Sequence, residues 1–163
     1  MTQGKIRRET PALRIAGGGI QAGTLLLVED NPADVLLFMT ALSEIGFSPV
    51  LQVVTDGDQA IKYVEDIDRK GEGCPDLIVL DWNLPKRSGL EVLRTIRSSV
   101  SCGKTPVVML SSQDSSQDRA EAKRLGATAY LKKALNVEGL LEIGRRLQAL
   151  LQPNLPGLAP NLI

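Results

Sequence analysis

The chain has 163 residues, of which 43% are apolar, and this length and composition suit one domain with a single substantial core. Its 19 basic and 19 acidic residues cancel, so no overall charge would attract nucleic acid or an anionic membrane, and neither is expected as a partner. No apolar run reaches the roughly 18 residues that span a bilayer. The basic start leads into glycines, not an apolar signal core, and a cytoplasmic location is therefore expected.

The lack of histidine and the spacing of the two cysteines limit the chemistry that the chain can perform. There is no histidine, which excludes Ser-His-Asp and Cys-His nucleophile pairs, histidine metal clusters and a phosphohistidine carrier within the chain. The two cysteines, Cys74 and Cys102, lie 28 positions apart without a C-x-x-C unit, which indicates neither a zinc site nor a disulfide framework. Two reduced thiols of minor structural importance are predicted. Any chemistry must therefore use carboxylates, hydroxyls and lysine.

Strand and helix patterns alternate along the middle of the chain. Residues 1–23 are glycine-rich and basic and residues 152–163 contain three prolines, so both are predicted to be flexible extensions of a domain at 24–151. In chain order, the predicted elements are Leu25–Val28 (strand), Ala33–Ile45 (helix), Val50–Val54 (strand), Asp58–Ile67 (helix), Leu77–Leu80 (strand), Gly89–Arg97 (helix), Val107–Leu110 (strand), Ser116–Leu125 (helix), Ala129–Leu131 (strand) and Val137–Leu151 (helix). Five alternations of buried strand and helix predict a parallel sheet covered on both faces, a doubly wound α/β fold.

Polar residues follow four of the five predicted strands. The first ends at Glu29-Asp30, the third at Asp81, the fourth at Ser111-Ser112 and the fifth at Lys132-Lys133. In open parallel sheets, ligands bind at the carboxyl ends of the strands, near the point where the strand order reverses. Any one of these acids alone is equally well read as a helix cap or a solvated loop residue, but four polar strand ends together favour a functional site.

The residue types at this edge favour magnesium and phosphoryl transfer. Three converging carboxylates without a histidine repel one another unless a hard cation with oxygen ligands neutralises them. Mg²⁺ takes one or two carboxylates together with phosphate oxygens, which leaves a carboxylate free to act as a nucleophile. A lysine and a serine hydroxyl would then bind the phosphoryl oxygens.

Three segments give the chain a resemblance to a known family. They are VEDNP at Val28–Pro32, LDWNLP at Leu80–Pro85 and YLKK at Tyr130–Lys133. Together they resemble the receiver domain of bacterial two-component response regulators, over about residues 24–151. The family also separates its phosphoacceptor, hydroxyl and lysine residues by 30 and 22 positions, and Asp81, Ser111 and Lys133 keep both intervals. The resemblance implies a flavodoxin-like five-stranded parallel sheet with strand order 2-1-3-4-5.

The resemblance also implies roles for individual residues. Glu29, Asp30, Asp81 and the backbone carbonyl of Asn83 would hold Mg²⁺. Asp81 would accept the phosphoryl group from a sensor histidine kinase, and Ser111 and Lys133 would bind the acyl phosphate. Tyr130 matches the aromatic residue whose ring turns inward on activation, so Ser111 and Tyr130 would form a switch that alters the face made by the last two helices and the last strand.

Partners and class follow from the same resemblance. The chain is expected to be a stand-alone response regulator, a phosphoacceptor that takes part in its own phosphorylation and dephosphorylation without being an enzyme otherwise. NLPK at Asn83–Lys86 and the added segment Asp68–Cys74 are similar to the small regulators of bacterial phytochromes. The expected partners are a sensor histidine kinase, a bacteriophytochrome on that subfamily match, and a downstream protein or phosphotransfer partner. A homodimer through an exposed face is a further hypothesis.

Two departures from the family pattern leave alternatives open. Ala134 stands where the family usually has proline, so the cis peptide common there is in doubt, and a trans bond would shift Lys133. Tyr130 is also consistent with an ordinary core aromatic whose hydroxyl reaches the surface. The fourth helix is mostly polar, which fits a solvated face as well as a partner-binding one.

Three other functions compete with the response-regulator interpretation. A haloacid-dehalogenase-type phosphatase uses an aspartate nucleophile with magnesium, but its D-x-D motif needs an acid where this chain has Asn83. A nucleotide-binding loop would follow the first strand, whereas Gly17-Gly18-Gly19 precedes it. A degenerate receiver that acts only as a docking or dimerising module, without phosphorylation, remains a third alternative.

Overall fold

A computed structural model describes residues 23–153, and the extensions predicted to be flexible lie outside that range except at their inner ends. The elements are β1 (Thr24–Val28), α1 (Pro32–Glu44), β2 (Val50–Val54), α2 (Gly57–Lys70), β3 (Leu77–Asp81), α3 (Gly89–Ser98), β4 (Val107–Ser111), α4 (Ser116–Arg124), β5 (Ala129–Lys132) and α5 (Val137–Leu151). Their alternation confirms the predicted α/β pattern. Among helices of this described range, none is long and apolar enough to cross a membrane.

The five strands form one sheet in the order β2-β1-β3-β4-β5, and every neighbouring pair is parallel. The expected strand order is therefore confirmed. The chain runs outward from β1 to β2 and then returns past β1 to β3, so the strand order reverses between β1 and β3. Loops diverge at this point and leave a crevice above the carboxyl ends of the strands.

Apolar side chains cover both faces of the sheet. Leu26 and Val28 of β1 pack in a core with α2, α3 and α4, whereas Leu25 and Leu27 pack in a second core with α1 and α5. Every residue of β3 and β4 is buried, as expected for central strands with helices on both sides. Each fully buried Leu, Ile or Val side chain contributes about 1.5–3 kcal/mol relative to exposure, so the two cores fix the sheet from both faces.

Local signals set the helix ends. Asn31 caps α1, with Pro32 in its first turn, and Ser88 and Glu91 form a reciprocal capping box at α3. The second helix is longer than predicted, because it continues from Ile67 to Lys70. Its last residues are polar and carry no apolar period, yet the backbone stays helical up to Gly71, which ends it at a φ of 67°.

The prediction of two reduced thiols is wrong, since Cys74 and Cys102 form a disulfide with their Cα atoms 5.4 Å apart. Cys74 lies in the loop before β3 and Cys102 in the loop before β4. These strands are neighbours, so their preceding loops meet at the amino edge of the sheet, although 28 positions separate the cysteines in sequence. Spacing alone carries no information about such a tertiary approach.

Asp68, near the end of α2, binds the second of these loops by hydrogen bonds. Its carboxylate accepts bonds from the Ser99 hydroxyl at 2.8 Å and from the Ser101 N–H at 2.9 Å. These bonds lower the pKa of Asp68, with the Ser101 N–H making the largest contribution. The C-terminal end of α2 is thereby tied to the loop between α3 and β4.

Reduction of the disulfide is expected to destabilise the protein by about 3–4 kcal/mol, because the bond closes a loop of roughly 30 residues in the unfolded chain. Urea unfolding with and without a thiol reductant measures the difference. The Cys74→Ser, Cys102→Ser double variant should unfold like the reduced protein and show no response to reductant. Two freely titrating thiols in the native, non-reduced protein would contradict the disulfide.

Candidate functional site

Parallel register brings the predicted site residues to one edge of the sheet. Glu29 directly follows β1, Asp81 ends β3, Ser111 ends β4 and Lys133 directly follows β5. Asp81 lies opposite Leu110 of β4, the residue before Ser111, so the ends of β3 and β4 are adjacent. The strand ends predicted to carry the polar groups therefore meet at the crevice where the strand order reverses.

Three carboxylates form an acid trio at this edge. Glu29, Asp30 and Asp81 each offer an oxygen, and these oxygens lie within 4.8 Å of one another. Glu29 is 2% exposed and Asp81 is 4% exposed, whereas Asp30 faces solvent. Backbone N–H groups orient the two buried members: Asn31 donates to Glu29 and Asn83 donates to Asp81, both at 3.0 Å.

The ammonium of Lys133 lies among these acids. Its Nζ donates to Glu29 at 2.7 Å, to Asp81 at 2.9 Å and to Asp34 at 2.9 Å. Burial acts to lower the pKa of Lys133, but the hydrogen bonds to Asp81, Glu29 and Asp34 outweigh it and hold the pKa well above its usual range. Lys133 is therefore a fixed positive charge at neutral pH.

Sequence reasoning missed Asp34. It lies in the first turn of α1, four residues after Asp30, and helix geometry places such an acid near the same edge. Attention to the first turn of the helix that follows β1 would have found it. The strand-end criterion excluded it because Asp34 belongs to a helix.

Although Ala134 stands where the family usually has proline, Lys133 still contacts Glu29 and Asp81. No peptide bond among residues 23–153 is cis, so the bond between Lys133 and Ala134 is trans. The Lys133 N–H donates to the carbonyl of Ser111 at 2.7 Å, which continues the pairing of β5 with β4 beyond the strand end. The trans bond does not move Lys133 out of the site, since its side chain contacts Asp81 directly.

The edge is suited to a divalent cation. Three carboxylates contact the ammonium of Lys133, and Asp30 lies beside two of them, so acidic groups outnumber the basic one in this cluster. Burial raises the pKa of Glu29, although hydrogen bonds from Lys133 and from the Asn31 N–H oppose the rise. A hard cation with oxygen ligands would relieve this unfavourable concentration of charge, and Mg²⁺ fits the donor set.

A second ion pair anchors the loop between β3 and α3, which carries Asn83. Lys86 adopts a φ of 68°, an uncommon backbone conformation for a residue with a side chain, and its Nζ donates to the buried carboxylate of Asp56 at 2.7 Å. At the other end of the loop, a Cβ atom on Gly89 would lie 2.3 Å from the carbonyl oxygen of Asp81, so only glycine fits.

Asp56→Asn should lower the free energy of unfolding at pH 7 by about 0.5–1 kcal/mol, because it removes the ion pair with Lys86 and keeps a residue able to cap α2. Burial acts to raise the pKa of Asp56, but hydrogen bonds from Lys86 and Gln59 outweigh it and lower the pKa below its usual value of 3.8. The charged form is therefore favoured in the folded state.

The stabilisation is present above the unfolded pKa and is lost as the pH falls through the folded one, so the difference between wild type and variant should shrink below about pH 4. Urea titrations between pH 3 and pH 7 test this. Glu65→Gln, which removes an exposed acid from the same helix without breaking an ion pair to this loop, is the control. An Asp56→Asn difference that stays constant down to pH 3 would contradict the prediction.

Ser111 and Tyr130 are joined through one residue of the loop after β4. The Gln113 N–H donates to the Ser111 hydroxyl oxygen at 3.2 Å, and the Gln113 carbonyl accepts a bond from the Tyr130 hydroxyl at 2.9 Å. Tyr130 is 1% exposed, and its ring makes an edge contact with Trp82 at a centroid distance of 5.8 Å. The ring is a core aromatic, and its hydroxyl is hydrogen-bonded to the loop that Ser111 precedes.

Sequence reasoning also missed Arg119 of α4. Its guanidinium lies over the Tyr130 ring at 5.0 Å from the centroid and donates to the Tyr130 carbonyl at 3.1 Å. It also forms an ion pair with Asp114 at 2.7 Å. Only Ala122 of α4 is buried, so the helix is chiefly a solvated face, apart from this contact. No sequence motif signals an arginine that packs on a ring from a neighbouring strand.

Comparison with known proteins places the chain in a family. Residues 25–145 match the family described as "Response regulator receiver domain". The chain belongs to the response regulator receiver family. This result favours the response-regulator interpretation over a dehalogenase-type phosphatase.

Individual relatives agree with this result. The chain is 36% identical over 116 residues to the "Probable methanogenesis regulatory protein FilR2" of Methanothrix harundinacea (strain 6Ac), with 71% of this chain and 75% of FilR2 covered. It is 32% identical over 120 residues to "Response regulator Rcp1" of Synechocystis sp. (strain ATCC 27184 / PCC 6803 / Kazusa), with 73% and 82% covered.

Solved structures give the same fold. The Mn²⁺-bound form of Rcp1 aligns with a TM-score of 0.68 at 30% identity, over 78% of this chain and 92% of that chain. The phosphorylated cyanobacterial phytochrome response regulator RcpA aligns with a TM-score of 0.67 at 34% identity, over 78% and 91%. Regulators associated with phytochromes are thus among the proteins to which this chain is similar in both sequence and fold.

Proposed function

We propose that the chain is a phosphoacceptor of a two-component system, in which Asp81 takes a phosphoryl group from a phosphohistidine of a sensor histidine kinase. Glu29, Asp30, Asp81 and the backbone carbonyl of Asn83 would hold Mg²⁺. The observation that carries the proposal is the Lys133 ammonium, 2.9 Å from the Asp81 carboxylate within the acid trio. It places positive charge where the oxygens of a transferred phosphoryl group would lie.

Each protein group has a distinct task in this transfer. A carboxylate oxygen of Asp81 forms the new P–O bond while the P–N bond to the kinase imidazole breaks, and the imidazole keeps the electron pair. Lys133 neutralises negative charge on the phosphoryl oxygens, and the Ser111 hydroxyl donates a hydrogen bond to one of them. Mg²⁺, when bound, supplies further charge neutralisation.

A conformational response would follow through Gln113. When the Ser111 hydroxyl turns to a phosphoryl oxygen, the bond from the Gln113 N–H is released, and the carbonyl of the same residue holds the Tyr130 hydroxyl. Movement of this loop would alter Tyr130 and its contact with Arg119 on α4. The face formed by α4, β5 and α5 would then present the output to a downstream protein or phosphotransfer partner.

Similarity to Rcp1 and RcpA supports a phytochrome-type kinase as the phosphoryl donor, and a cytoplasmic location accords with such a partner. The presence of the complete set at one edge, the acid trio, the Ser111 hydroxyl and Lys133, favours phosphotransfer over the degenerate docking module. A binding experiment with a phosphoryl mimic distinguishes the phosphoacceptor from the docking module.

The wild-type protein should bind beryllofluoride, a mimic of the phosphoryl group, in a saturable and Mg²⁺-dependent manner. Trp82 is the only tryptophan, it follows Asp81 directly, and its ring contacts Tyr130, so its fluorescence should change on binding. Asp81→Asn should abolish the change, because the amide removes the anionic oxygen to which beryllium bonds.

Glu65→Gln, an exposed change on α2, is the matched control and should bind like wild type. Circular dichroism establishes that each variant is folded. If calorimetry finds no beryllofluoride binding to the wild-type protein in the presence of Mg²⁺, the phosphoacceptor function is wrong and the docking module takes its place.

A further inference from the structure

Asp34 differs from the other two acceptors of the Lys133 ammonium. Glu29 and Asp81 belong to the acid trio, whose oxygens lie within 4.8 Å of one another, and Asp34 does not. Its carboxylate accepts from Lys133 Nζ at 2.9 Å, and its side chain is 35% exposed on the first turn of α1. The lysine therefore has one anionic partner outside the set proposed to bind metal.

Asp34 matters because a bound cation and the Lys133 ammonium would compete for the same oxygens of Glu29 and Asp81. An ammonium has three N–H donors, and in this structure each reaches a different carboxylate. A divalent cation at the acid trio attracts the oxygens of Glu29 and Asp81 more strongly than a single ammonium does. The bond to Asp34 is the one that the cation leaves intact.

Within the cavity that Lys133 shares with Asp34, no other side chain could replace Asp34 as an acceptor without drawing on the acid trio. Both residues line a small cavity, of about 50 Å³, between α1 and α5. Glu29 and Asp34 provide the only acceptor side chains in its walls, which are otherwise formed by apolar residues such as Leu37 and Phe38 and by the backbone of Gly144. An ammonium released from Asp34 would have to share the oxygens of the acid trio or turn away from Asp81.

We propose that Asp34 is a positioning residue, which holds the Lys133 ammonium beside Asp81 while Mg²⁺ occupies the acid trio. The inference extends the proposed function and rests on it. Asp34 touches neither the phosphoryl group nor the metal. It acts through Lys133, and it lies in the first turn of α1, where backbone N–H groups favour an anionic side chain.

Positioning and simple electrostatics predict opposite results for Asp34→Asn. Removal of a negative charge near an anionic phosphoryl mimic should tighten the binding of that mimic, if charge is all that Asp34 contributes. Loss of a correctly placed ammonium should weaken it. The sign of the change in affinity therefore separates the two roles.

The experiment measures beryllofluoride affinity at saturating Mg²⁺ through Trp82 fluorescence. Asp34→Asn should weaken binding about five- to tenfold, and Asp34→Glu, which restores a carboxylate, should recover most of the loss. Glu138→Gln, an exposed acid in the first turn of α5, is the matched control and should bind like wild type. Unchanged or tighter binding by Asp34→Asn would overturn the proposal.

A second readout does not need the phosphoryl mimic. In ¹⁵N-labelled protein with Mg²⁺, the ammonium of Lys133, assigned by its absence in Lys133→Gln, should be protected from exchange in wild type and unprotected in Asp34→Asn. Equal protection in both proteins would overturn the role of Asp34. If wild type bound no beryllofluoride at all, the proposed function would fail, and the ammonium signal would still test the contact separately.

Discussion

The ammonium of Lys133 is the counter-ion on which the carboxyl edge of the sheet depends. Two buried carboxylates, Glu29 and Asp81, lie close together there, and such a pair is unfavourable away from water unless a cation separates it. Lys133 contacts both, and loss of one member of a buried ion pair typically costs about 3–5 kcal/mol. The same charge that stabilises the folded edge is thus the charge that phosphoryl transfer would use, so stability and proposed function share one side chain.

The parallel sheet explains why distant residues converge on that lysine. Asp81 and Lys133 are 52 positions apart, and Glu29 and Lys133 are 104 apart. Each nevertheless lies at or just beyond the end of a strand, and parallel pairing with β1, β3, β4 and β5 side by side brings these ends to one edge. The helices bury the strands on both faces, so a one-residue slip of register would exchange side chains between two cores that are packed around different residues. Core packing, not attraction among the polar groups, sets the geometry of the site.

The chain's periodicity predicted the parts of the fold that local patterns encode. Buried strands, polar strand ends and the start and end of α5 all appear in the structure as predicted. Three features escaped because they depend on contacts between distant segments. The disulfide arises from the adjacency of two loops, the Asp34 contact from the direction of one helical turn, and the Arg119 contact from the packing of α4 on β5. The length of α2 escaped for the opposite reason: a polar last turn leaves no hydrophobic period to detect.

The two edges of the sheet differ in how firmly their loops are held. At the amino edge, a covalent bond between Cys74 and Cys102 joins the loops before β3 and β4, and the hydrogen bonds of Asp68 tie the end of α2 to the loop before β4. At the carboxyl edge, the loop after β4 is held without a covalent link, by single hydrogen bonds at Gln113 and by the ion pair of Asp114 with Arg119. Segments that change conformation come from the less stable parts of a fold, where few contacts must break. In the proposed response, a fixed amino edge would let the carboxyl edge move without loss of the sheet, because the strands would keep one set of ends in place.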